Sequence, residues 1–122
     1  MRTIEEKIIE TLNGCNGEGL KNLSCRDRVE VDGDTKKYYL WNSLLFWNDE
    51  ENTYYFSFCG YSTNTTKNRL NAIFNYFNLG GFYQKNYIVY WVNNGSIKIE
   101  VDTNKKYKII FLDNHAVKIE AV

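Results

Sequence analysis

The residues best suited to chemistry lie in one run, Gly60-Tyr61-Ser62-Thr63-Asn64-Thr65-Thr66-Lys67-Asn68-Arg69-Leu70-Asn71. Ser62, Thr63, Asn64, Thr65 and Thr66 are all short polar residues, mostly of the types that cap helices, and a single one would start a helix. From Thr65 the pattern turns helical, with Leu70, Ile73, Phe74 and Phe77 on one stripe. The surplus hydroxyls, the free N–H groups of the first turn and the positive end of the helix dipole together describe an anion site. Arg69, one turn inside, carries a fork suited to bidentate contact with phosphate. The plainer alternative is that these residues only cap the helix and that Arg69 is a solvated charge.

Other reactive groups are sparse. His115 falls at an expected hairpin turn beside Asp113, where a general base would have no positioned partner. Cys59 closes an aromatic strand without an adjacent base to activate it. Cys15, Cys25 and Cys59 are odd in number and do not take zinc spacing, so no metal and no disulfide is expected. Phosphate-loop, dinucleotide and metalloprotease patterns are missing, so neither catalysis nor a cofactor is expected.

Aromatic residues make up 16% of the chain. Tyr38, Tyr39, Trp41, Trp47, Tyr54, Tyr55, Phe82, Tyr83, Tyr90 and Trp91 fall on both faces of the strands that carry them. Rings on both faces imply a core plus a subunit interface, or a flat ligand such as a nucleobase. A phosphate-binding helix end beside stacking rings describes a small-nucleotide pocket.

The elements that would position these groups follow from local pattern. Thr3 with Glu6 has capping-box spacing and predicts a helix to about Leu12, with Ile4, Ile8, Ile9 and Leu12 on one face. Gly14, Gly17 and Gly19 predict a loop towards Leu23. Arg28 to Asp32 alternates and runs into a tight turn at Asp32-Gly33. Tyr38 to Trp47 reads as one long aromatic strand, and Tyr54 to Cys59 as its return. Gly80-Gly81 is the expected left-handed end of the central helix. Phe82 to Lys85, Tyr87 to Val92, Ser96 to Val101, Lys106 to Leu112 and Ala116 to Ala121 then read as strands, with hairpin turns at Asn94-Gly95 and Asp113-Asn114. The expectation is one α+β domain over residues 1–122: an antiparallel β-sheet with an N-terminal helix and a central helix packed on it.

Composition narrows the partners. The 122 residues carry 15 Lys+Arg against 15 Asp+Glu, for a formal net charge of zero. That balance speaks against a DNA or RNA duplex and against an anionic membrane surface. No apolar run is long enough for a membrane span, and the start carries acids where a signal peptide carries positive charge, so a cytoplasmic protein is expected. Abundant Asn, Lys, Ile, Tyr and Phe, with no proline, suit an AT-rich bacterial or phage genome.

The Gly60–Ile73 run, followed by Gly81-Phe82-Tyr83-Gln84-Lys85 and an aromatic strand, resembles the first family of Thoeris anti-defence proteins. These are small phage proteins that act as sponges. They bind the cyclic ADP-ribose isomer (glycocyclic ADP-ribose) made by the Thoeris TIR enzyme and hold it uncleaved, so the effector is not activated. The resemblance implies a non-catalytic nucleotide binder in the infected cell. It also implies a homodimer with recessed pockets at the subunit interface, or a hexamer as in some relatives, which hold cyclic oligonucleotides at separate sites. By motif, Ser62, Thr63, Thr65, Thr66 and Arg69 would contact phosphate or ribose and Phe82 would stack on adenine, with Gln84 and Lys85 nearby. Some family members place a late-strand arginine on the far side of the base. The C-terminal third here has none, and Arg28 would be the substitute. The rival reading is a phage inhibitor that acts by protein–protein contact on a host nuclease or another defence protein. An enzyme hydrolysing a cyclic nucleotide comes third.

Overall fold

The computed structural model describes residues 3–93, 97–112 and 117–122. Thr3 caps α1 (Ile4–Leu12) by accepting a hydrogen bond from Glu6 N at 3.2 Å, as the spacing predicts. Ile8 and Leu12 of α1 are buried. After a glycine-rich link come β1 (Gly19–Asn22), β2 (Asp27–Asp32), β3 (Thr35–Leu40), β4 (Ser43–Asn48) and β5 (Tyr54–Ser57). The central helix, α2 (Asn64–Tyr76), leads to β6 (Gly81–Lys85), β7 (Ile88–Asn93), β8 (Ile97–Val101), β9 (Lys106–Phe111) and β10 (Val117–Ala121).

All strand pairings are antiparallel, and the architecture is α+β, with an N-terminal and a central helix as expected. The strands form two sheets rather than one. The larger runs β1-β2-β3-β4-β5-β9-β10, and the smaller runs β6-β7-β8. α2 and the small sheet are thus an excursion between β5 and β9, which pair directly, Phe56 opposite Tyr107. One apolar core joins both sheets. Phe74 of α2 lies at its centre, against Phe46 and Phe56 of the large sheet and Phe82 of the small one. Alternation along β7 shows how the sequence feeds that core: Val89, Trp91 and Asn93 point inward, and Ile88, Tyr90 and Val92 stand half-buried.

Three local expectations are corrected. The long strand from Tyr38 to Trp47 is a hairpin, folded back at Trp41-Asn42 with Leu40 opposite Ser43. Trp41 has φ of 57° at the first turn position, where glycine ordinarily stands, so the residue type hid the bend. The loop before Leu23 contains β1, an exposed edge strand opposite Arg28–Val31 that lacks a strand-like pattern. The left-handed stretch after α2 starts earlier than Gly80-Gly81, at Asn78 (φ 57°), with Leu79 N–H donating back to Phe74 O at 2.8 Å, and Gly80 is left-handed as well (φ 91°). Gly80 is needed for a second reason too, since a Cβ there would stand 2.4 Å from Val92 O. β7 and β8 pair as expected, Asn93 opposite Ile97. The turns at Asn94-Gly95 and Asp113-Asn114, and His115, lie outside the described residues.

Candidate ligand-binding pocket

α2 begins where its capping residues predict. Thr63 is the N-cap and accepts from Thr66 N at 3.2 Å, and the two threonine hydroxyls share a bond of 3.0 Å. Thr66 is buried, whereas Thr65 is half-buried and Asn64 exposed. A pocket of about 380 Å³ opens at this helix end. Thr63, Thr65 and Thr66 line it together with Arg26, Trp41, Tyr61, Ser43, Leu40 and Leu45. Its volume falls within the range of about 300–1,000 Å³ typical of small-molecule sites, and its make-up of apolar walls with few polar groups is typical too.

The opposing elements are tied to each other. Trp41 N–H donates to Arg26 O at 2.6 Å, joining the β3–β4 turn to the residue before β2. Arg28 Nη2 donates to Trp41 O at 3.2 Å and to Asn42 Oδ1 at 2.8 Å, with its guanidinium 5.5 Å above the Tyr39 ring. Arg28 therefore holds the turn that carries Trp41.

Behind the pocket lies a buried charged network. Arg69 Nε donates to Asp27 Oδ1 and Nη1 to Glu5 Oε1, each at 2.9 Å. Asp27 also accepts from the Tyr38 hydroxyl at 2.5 Å and the Ser24 hydroxyl at 2.7 Å. Burial disfavours the Asp27 charge, yet the hydrogen bonds from Arg69, Tyr38 and Ser24 and the Arg69 charge outweigh it, holding its carboxyl below 3.8. Burial and then the bond to Asp27 push the Tyr38 phenol well above its ordinary value. For Arg69, burial disfavours the cation, but Asp27 more than offsets it and keeps the guanidinium charged. Among the described residues no buried side-chain nitrogen or oxygen lacks a partner.

The chain matches the family described as Kyanoviridae Gp96 protein over residues 1–118. It belongs to that family, and it is a phage-family protein. Neither a curated protein nor a solved structure matches it.

Apart from Arg28, at the β3–β4 turn, the candidate residues divide into three groups. Thr63, Thr65 and Thr66 line the pocket, and Ser62, half-buried, immediately precedes the cap. Arg69 turns into the network with Asp27 and Glu5, where its buried guanidinium finds its partners within the chain. Phe82, Gln84 and Lys85 sit on β6, outside the pocket. Phe82 is packed edge-on against Phe56 and Phe58 and tilted against Phe74, so its ring belongs to the core rather than to a free stacking surface. Gln84 accepts from Lys67 Nζ at 2.5 Å, and Lys85 is exposed.

Sequence reasoning missed Arg26 as a site residue, and it left Trp41 and Tyr61 without a role there. Arg26 precedes a strand, and no spacing links it to Thr65; the backbone bond to Trp41 supplies the link. The thiols stay apart from this site: Cys15 and Cys25 are exposed, and Cys59 donates to Leu44 O at 3.2 Å.

Proposed function

We propose that this phage-family chain is an anti-defence protein that binds and sequesters a small cyclic nucleotide, without cleaving it. The ligand in this reading is the cyclic ADP-ribose isomer, glycocyclic ADP-ribose, made by Thoeris TIR enzymes. The observation that carries it is the convergence of three wall types on one pocket of about 380 Å³. A helix N-terminus with threonine hydroxyls and the Arg26 cation suit a pyrophosphate, and two exposed rings suit a base. The resemblance of the Gly60–Ile73 run supports the same class. Sequestration needs affinity and slow release rather than an acid or base, which agrees with a pocket lined by hydroxyls, one guanidinium and apolar groups. We further propose that the protein acts as a homodimer in the infected host cell.

A protein-partner reading has its own support in the small sheet. Tyr83 and Tyr90 stack at 5.3 Å with the Lys98 ammonium over both, and Tyr87 at the adjoining turn is 95% exposed. Such a patch suits a protein interface.

The test is to mix the purified protein with the TIR-derived cyclic ADP-ribose signal, filter, heat the retained fraction and follow the nucleotide by chromatography. Retention followed by release of unchanged ligand is expected. Nucleotide that stays free throughout overturns sequestration in favour of a protein partner, and a new product peak shows an enzyme instead.

A further inference from the structure

We infer that Trp41, held left-handed at the β3–β4 turn, is the specificity-determining residue of the pocket: it stacks on the ligand's aromatic base and selects base-carrying anions over bare phosphates. This rests on the nucleotide reading above and assigns the base a platform, which Phe82 in the core does not provide.

The argument starts from a mismatch between residue and backbone. Trp41 has φ of 57° and Asn42 does not share it, a turn pattern in which glycine is the favoured first residue. A bulky side chain is a genuine outlier in that conformation. The turn does not need the indole to hold its shape. Its backbone is fixed by the bond from Trp41 N–H to Arg26 O and by Arg28, which grips Trp41 O and Asn42 Oδ1. Nor does the indole supply the core: Trp41 is 62% exposed, whereas Trp91 is wholly buried and donates its Nε1–H to Leu79 O at 2.9 Å. Trp41 lines the pocket, along with Tyr61, which is 59% exposed. A strained residue with an exposed indole, placed in the lining of a cavity of ligand size, is matched to something that enters that cavity. Because Arg26 and the α2 N-terminus supply the anion-binding walls, the indole is left to the flat part of the ligand.

The experiment compares wild type with Trp41→Gly and Trp41→Phe, using the TIR-derived cyclic ADP-ribose signal and, as base-free probe, inorganic pyrophosphate. Calorimetric affinity, tryptophan fluorescence and thermal melting are read for each. Wild-type emission is expected to change on saturation, and Trp41→Gly to lose that change and roughly 10- to 100-fold in nucleotide affinity. Trp41→Phe should recover most of the affinity, and the weak response to pyrophosphate should be the same in all three proteins. The melting temperature of Trp41→Gly should not fall by more than about 3 °C and should tend to rise, since the turn is fixed by its backbone and glycine relieves the left-handed strain. Unchanged nucleotide affinity in Trp41→Gly overturns this inference while leaving the nucleotide reading intact. A fall in melting temperature of the size caused by a core truncation also overturns it, because the indole would then be structural. Wild-type protein that binds no nucleotide overturns the underlying reading, and this inference with it.

Discussion

Arg26 and Asp27 are neighbours in the chain, and the fold treats them in opposite ways. Asp27 is completely buried and takes hydrogen bonds from Arg69, Tyr38 and Ser24. The Arg26 side chain is 44% exposed, reaches Asp27 Oδ2 only at 3.9 Å and faces the pocket. The same contrast separates two regions about the α2 N-terminus. Behind it, a charged network ties α1, α2, β2 and β3 together through Glu5, Arg69, Asp27 and Tyr38. In front of it stand an open guanidinium, two exposed rings and threonine hydroxyls. Groups that satisfy one another inside the chain set its stability. Groups that line a cavity and keep part of their surface exposed are available to a ligand, so the two regions should separate cleanly under mutation.

The largest effect is expected from breaking the rear network. Arg69→Met removes the paired cation and leaves the Asp27 carboxylate buried with hydrogen bonds from hydroxyls alone and the Arg26 cation no nearer than 3.9 Å. Removing one partner of a buried pair costs about 3–5 kcal/mol. Urea denaturation should show that loss as a lower midpoint at unchanged slope. A stability change under about 1 kcal/mol would break the comparison, because such values belong to exposed pairs.

A second, smaller effect follows from pH. The folded Asp27 carboxyl ionises below 3.8, its value outside the fold, so the ionised form favours the native state. Its contribution is fully present above that value and is lost as pH falls through it and on through the folded value. Wild-type stability should therefore fall below pH 3.8, and Asp27→Asn should flatten the curve there while lowering stability near neutrality. Tyr38 has the opposite sign. Its folded phenol is raised above 10.0, so its contribution is complete below that value and declines as pH rises beyond it. Tyr38→Phe should remove that alkaline decline, as followed by circular dichroism.

These two regions also differ in how far local sequence reveals them. The start of α2 was legible because Thr63 and its neighbours cap, and because Leu70, Ile73 and Phe74 repeat with helical period. The hairpin at Asp32-Gly33 was legible because Gly33 supplies the positive φ of 60° that the turn uses. Arg69 was visible as a cation near a helix start, but its partner Asp27 lies 42 residues earlier, and no local pattern carries that pairing. Trp41 reads as mid-strand because its residue type contradicts its conformation, and with the turn hidden the pocket's far wall is hidden as well. Direct pairing of β5 with β9 is a long-range choice of the same kind. Local propensity thus exposes the elements, while the site depends on where distant elements meet.

In front of the helix, stability and binding should part company. Arg26→Ala removes a side chain whose nearest charged partner stands at 3.9 Å, so unfolding free energy should stay within about 0.5 kcal/mol of wild type. A hydrogen bond to a charged group is worth about 1.5–3 kcal/mol, so affinity for the TIR-derived nucleotide should drop roughly tenfold or more. Calorimetry beside urea denaturation measures both quantities. A large stability loss here would merge the two regions into a single structural network.

The finest distinction lies between adjacent threonines. Thr66 shares its hydroxyl with Thr63 and is buried, whereas Thr65 lines the pocket and is half-buried. Thr66→Val keeps the shape but strips the cap residue of a hydroxyl partner, so its cost should appear in unfolding, at about 0.5–1.5 kcal/mol. Thr65→Val deletes the hydroxyl of a residue that lines the cavity and should leave unfolding unchanged. Its effect should appear in binding, as a loss of roughly two- to tenfold, the worth of one neutral hydrogen bond. Valine retains the β-branched shape, so helix propensity barely changes and the comparison isolates the hydroxyl. Equal binding losses in the two variants would mean that the cap and the ligand contact are one unit, and that the boundary between the regions lies further out, at Arg26 and Trp41.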